Sequence, residues 1–261
     1  MQRDLIGLVA GFIIATITAP VGVSGAVFLL PVQLSILAVP NPQVTPTNLL
    51  YNVISGPGAL VRYLRRRQLD AGLTRSLLLG SAPGVVIGAV LRVHVVADPT
   101  VFRLVAAAVL LPTGVFILAT TSPRRVTVVA SRSGLRPRTI SRLAFVVGVL
   151  GGIYGIGGGS ILGPILVGTG MAVARVAPAA LASTFVTSII GVAAYAVLAL
   201  GASGNIAPDW SLGIATGIGG LVGGFTGAHL QPRLPERLLR GLLGVLAIAL
   251  AAAYLVQAVV R

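Results

Sequence analysis

The chain has 261 residues, 56% of them hydrophobic and only 9% charged, with a mean hydropathy of +1.00. A soluble domain carries roughly 25% charged residues, so this composition excludes one and defines a membrane chain. The absence of cysteine excludes disulfides, thiolate metal sites and cysteine redox chemistry, and His94 and His229 cannot form a zinc site by themselves. The net charge of +14 comes from 19 basic residues that are all arginine, set mostly in short segments between apolar stretches. That is the pattern of cytoplasmic loops rather than of a nucleic-acid-binding face.

In chain order, the first apolar region covers about 5–38 and is interrupted at Ala19-Pro20-Val21-Gly22-Val23-Ser24-Gly25. It lacks an Ala-x-Ala site with a polar flank, so no cleaved leader is expected. Segments near 44–64, 73–95 and 100–119 follow, each long enough to cross an apolar core of about 30 Å. A polar stretch, 120–141, separates these from a second interrupted region at 142–170, broken at Gly152-Ile153-Tyr154-Gly155-Ile156-Gly157-Gly158-Gly159-Ser160. Three more spans follow near 176–200, 208–229 and 235–258.

The two breaks correspond. At an offset of 133 residues Gly22 falls on Gly155, Gly25 on Gly158 and Pro31 on Pro164; at 132, Pro46 meets Pro178, Asn52 meets Thr184 and Tyr63 meets Tyr195. Gly84 and Gly88 match Gly220 and Gly224 after a small insertion. The expected fold is an all-α polytopic membrane protein of two inverted repeats, 1–119 and 142–261, joined by a cytoplasmic linker at 120–141. Each repeat is a glycine-broken hairpin, re-entrant or crossing obliquely on arms of about 11–16 residues, followed by three transmembrane helices. With the linker inside, the predicted inner segments 62–75, 120–142, 170–176 and 230–240 hold 15 of the 19 arginines, and both termini face outward. Counting each broken region as one crossing would put Arg-rich loops on the wrong side.

A membrane chain that breaks equivalent helices in two halves exposes backbone dipoles to a solute near the midplane. Glycine permits the sharp turn and a close ligand approach, and the helix start beyond it presents unpaired N–H groups that attract an anion. Candidate substrate contacts are therefore Ser24 and Gly25 at the first break, and Gly157, Gly158, Gly159 and Ser160 at the second. Polar residues on the following span add Asn48 and Asn52, which share a face one turn apart, and Thr184, Thr187 and Ser188. For Thr187 and Ser188, back-bonding to the previous turn is an equal alternative. Gly84, Gly88, Gly219 and Gly223 read instead as close helix packing. Tyr63, Tyr195, His94 and His229 lie near span ends, the tyrosines as interfacial anchors, and Arg62 as a snorkelling side chain.

All five acids (Asp4, Asp70, Asp98, Asp209, Glu236) fall in or beside predicted loops, so no carboxylate relay crosses the membrane. There is no lysine, which dismisses a P-loop reading of the second break. No catalytic constellation converges within the spans, so an enzyme is not expected, and neither a cofactor nor a metal is called for.

Gly155-Ile-Gly-Gly-Gly-Ser-Ile-Leu-Gly-Pro and the degenerate Gly22-Val-Ser-Gly-Ala-Val-Phe-Leu-Leu-Pro resemble the doubled motif of the sulfite exporter TauE/SafE family of membrane anion permeases, and the Gly84–Gly88 stretch resembles its third span. The resemblance implies a multi-pass protein of the bacterial inner membrane. It would move small sulfur-containing anions such as sulfite, thiosulfate or organosulfonates across the lipid bilayer; the sequence leaves open whether the chain forms a homo-oligomer. A passive anion channel with the same pore chemistry is the alternative.

Overall fold

The computed structural model describes residues 2–37, 39–94, 100–120, 135–200 and 206–259. Among them are ten α-helices, five in each half: α1 Gln2–Thr18, α2 Ala26–Ser35, α3 Asn41–Arg65, α4 Ala71–His94, α5 Thr100–Thr120, α6 Pro137–Tyr154, α7 Gly159–Gly168, α8 Val173–Ala199, α9 Trp210–Leu230 and α10 Glu236–Val259. The six expected spans are helices within a few residues of their expected ends. Five stretches, Gln2–Val21, Ala71–His94, Val173–Ala199, Trp210–Arg233 and Glu236–Val259, have the length and apolarity to cross a membrane. Leu79, Val146, Ile218 and Val245 are among many large apolar side chains left exposed on the helices, as lipid contact requires and water does not favour.

The hairpins are less even than expected. Their first arms, α1 and α6, have 17 and 18 residues, and their second arms, α2 and α7, have 10 each. Helix α6 starts at Pro137, inside the segment expected to be linker, because proline suits the first turn of a helix and Arg136 before it is extended. Residues 121–134, with Arg124, Arg125 and Arg132, lie outside the described residues, as does Asp98.

Glycine sets how closely the halves approach. A methyl group at Gly80, Gly84 or Gly88 would collide with the carbonyl oxygens of Ser141, Phe145 and Val149 on α6. One at Gly219, Gly223 or Gly227 would collide with those of Leu8, Phe12 and Thr16 on α1. The packing reading of Gly84, Gly88, Gly219 and Gly223 therefore holds. These contacts also correct the register of the repeat. The α6 and α1 partners are 133 residues apart, whereas the glycines that meet them are 139 apart, so Gly84 corresponds to Gly223 and not to Gly220.

The same contacts give the helix directions. Leu50 and Ile54 of α3 meet Gly213 and Gly217 of α9, so these two run parallel. Ser81 and Val85 of α4 meet Ser183 and Gly191 of α8, also parallel, whereas Leu49 and Gly56 of α3 meet Gly191 and Phe185 of α8 in antiparallel order. Helices α4 and α9 therefore start at opposite ends of the molecule. One end collects Arg62, Arg65, Arg66 and Arg67 of the α3 terminus with Arg75, Arg142, Arg175 and Arg233.

An aspartate caps the start of each of these helices. Asp70 accepts the Leu73 N–H (2.9 Å) and pairs with Arg175 (2.6 Å). Asp209 accepts the Leu212 N–H (3.2 Å) and pairs with Arg3 (2.5 Å). Each pair joins the two halves, at opposite ends. Glu236 begins α10 and accepts the Val173 N–H at 2.9 Å. Arg240, counted with the inner segment 230–240, is one turn into α10 and 2% exposed, donating to Glu236 and to the Val167 and Met171 carbonyls at and just beyond the end of α7. Terminal helix carbonyls need donors and favour a cation, which accounts for this burial.

Candidate functional site

Each break is a left-handed glycine followed by a new helix. Gly22 (φ 77°) ends a short 3-10 turn over Ala19–Val21, and Gly155 (φ 70°) ends α6. A side chain at Gly22 would run into the backbone of Ala177 on α8, and one at Gly155 into that of Thr45 on α3. Residues 45 and 177 are themselves equivalent, so each break packs on the long helix of the other half.

The carbonyl side of both breaks is satisfied. Tyr63 donates to the Ala19 carbonyl and Tyr195 to the Gly152 carbonyl, both at 2.9 Å, and both rings are buried. This corrects their reading as interfacial anchors: ending a helix leaves carbonyls without partners, and a phenol on the equivalent helix reaches in to supply one. Gln231 donates to the Pro20 carbonyl (2.7 Å), Thr45 to that of Ile153 (3.0 Å) and Asn52 to that of Gly155 (3.3 Å).

The breaks also touch each other. The Ser24 N–H donates to the Ser160 hydroxyl at 3.3 Å, and that hydroxyl donates back to the Ile156 carbonyl at 2.9 Å. The Ser24 hydroxyl donates to the Asn52 side-chain oxygen and accepts the Ala26 N–H at 3.2 Å. Asn52 thus bridges Ser24 of the first break and Gly155 of the second.

Beside this bridge lies a small cavity whose lining includes Thr18, Ser24, Gly25, Tyr51, Asn52 and Thr184, with no charged residue among its walls. About 30 Å³ of it is open to the centre of a water molecule, room for about two waters. Of the expected contacts, Ser24, Gly25, Asn52 and Thr184 meet here. Gly157 and Gly159 stand one side chain away: a methyl on either would press on Thr184. Gly158 faces Ser81 of α4 instead. Asn48 packs beside Gly155, fully buried, with neither amide atom hydrogen-bonded. Thr187 back-bonds to the Ser183 carbonyl (2.7 Å), whereas the buried Ser188 hydroxyl has no partner. Thr18 was missed by sequence reading. It closes α1 just before the break, and only the fold brings it to the cavity.

Paired helix breaks meeting inside a bundle of apolar helices define a multi-pass membrane protein, on a plan that many transporters share. The chain belongs to the sulfite exporter TauE/SafE family, whose model matches residues 7–254. The probable membrane transporter protein YunE of Bacillus subtilis (strain 168) is similar, 25% identical over 182 residues, which is 61% of this chain and 65% of the relative's own length. No solved structure matches.

Proposed function

We propose that this protein is a secondary permease for small sulfur-containing anions of the sulfite or organosulfonate class, bound where the two breaks meet. One observation carries the reading: the carbonyl sides of both breaks are capped by side-chain donors, and the adjoining cavity sets a few neutral polar groups in mostly apolar walls without a carboxylate. Capped carbonyls offer a cation little, whereas helix starts with neutral donors favour an anion. The candidate contacts are Ser24, Gly25, Asn52 and Thr184 at the cavity, with Gly157, Gly158, Gly159, Ser160, Asn48, Thr187 and Ser188 around it.

The two halves act as inverted repeats about this point, which the opposed starts of α4 and α9 support. The arginine-rich end faces the cytoplasm by the positive-inside rule. A permease cycle would expose this point to each side of the membrane in turn. Uptake into proteoliposomes from a panel of sulfite, thiosulfate, sulfoacetate and sulfate tests the function. Saturable flux of a sulfur anion supports it; no flux of any of them refutes it, and single-channel currents would favour a passive pore.

A further inference from the structure

Hydroxyls inside these helices follow a rule. Thr16, Thr47, Thr74, Ser76, Ser81, Ser160, Thr187, Thr216 and Thr226 each donate to the carbonyl four residues earlier, at 2.6–2.9 Å. That back-bond is the default for Ser and Thr in membrane helices. Thr45 and Ser141 donate to other helices instead, and the buried hydroxyls of Thr18, Thr184 and Ser188 have no partner. Of these three, Thr18 and Thr184, 2% and 3% exposed, both line the cavity beside Ser24 and Asn52. A buried hydroxyl without a partner is costly to keep, and two of them on one cavity, from α1 and α8, mark a place where a ligand completes the bonding.

We infer that the Thr18 and Thr184 hydroxyls are the uncommitted donors of the anion site, each completing its bonding on an oxygen of the bound oxyanion. This rests on the permease reading above. No arginine or histidine lines the cavity, so neutral donors rather than a cationic side chain hold the oxyanion there.

The test is labelled-sulfite uptake by the full chain in proteoliposomes. Thr18→Val and Thr184→Val keep the side-chain shape and should each raise KM about tenfold or more, the usual size of a hydrogen bond to a charged group. Thr18→Ser and Thr184→Ser should restore it, and Thr216→Val, which loses a back-bonded hydroxyl, should match wild type. An unchanged KM in both valine variants overturns the assignment while leaving the permease reading intact. No sulfite uptake by the wild-type chain overturns both.

Discussion

At the first break Ser24 commits its hydroxyl to Asn52, whereas at the equivalent point of the second break Gly157 has no side chain and lies against Thr184, whose hydroxyl is free. The backbone plan is shared: a left-handed glycine, a ten-residue helix beyond it and a tyrosine capping the carbonyl before it. The polar decoration is not. At this matched position the first half commits a hydroxyl to joining the two breaks, whereas the second half has no side chain and the threonine beside it stays uncommitted. Symmetry of the chain trace therefore does not carry over into symmetry of the donors. A duplicated fold can keep its scaffold in both copies while each copy takes a different task.

The largest expected effects strike the shared scaffold. Gly22→Ala and Gly155→Ala put a side chain at positive φ and against backbone of the other half, so each should lower stability by roughly 1–3 kcal/mol or more. Thermal unfolding in detergent should show similar losses; a large loss at only one would mean the breaks are not mechanically equivalent. Asn52→Ala comes next. It leaves the Ser24 O–H without its acceptor and the Gly155 carbonyl without the Asn52 donor, both buried, at about 1–3 kcal/mol for each group. Thr184→Val should cost little stability while weakening uptake, so melting temperature against KM separates the two breaks.

Tyr63→Phe and Tyr195→Phe should each cost about 1 kcal/mol, and equally, because each uncaps one carbonyl. Unequal losses would point to a further role for one phenol. The smallest effect concerns the ion pairs at the two ends. The Leu73 N–H, and then Arg175, hold the Asp70 carboxyl below the ordinary carboxylate range. A depressed folded value contributes stability above the unfolded value that is lost as pH falls through the folded one. Asp70→Asn should therefore remove a small part of the acid sensitivity while leaving substantial transport, as should replacement of Asp4, Asp209 or Glu236. Loss of transport in a folded variant would identify a coupling acid. Side follows from the same geometry: with no native cysteine, Arg67→Cys should resist an impermeant thiol reagent in intact cells and Ser211→Cys should react.

Much of this was legible in the sequence because hydrophobic length and glycine breaks are local signals. The six spans and the matched positions of Gly22 and Gly155 follow from them directly. The register of α9 was not legible. Its glycines at 217, 219, 220, 223, 224 and 227 let a wrong alignment still pair glycine with glycine, and only contact with α1 selects Gly223 as the partner of Gly84. Tyr63 and Tyr195 were misread because distance from a span end predicts exposure, while the carbonyls they cap exist only once the broken arm folds beside them. Within the candidate site, Ser24, Gly25, Asn52 and Thr184 converge because the offset of the repeat places them on facing elements. Thr18 was invisible because nothing local separates it from Thr16, two residues away, which back-bonds.

The central claim is that the solute sits where the two breaks meet, and diffraction at the selenium edge tests it most directly. Crystals grown with selenite, the heavier analogue of sulfite, should give one anomalous peak in the cavity, placed so that the selenite oxygens accept from the Thr184 and Thr18 hydroxyls. A peak only among the arginines at the end of α3, with none in the cavity, would contradict it.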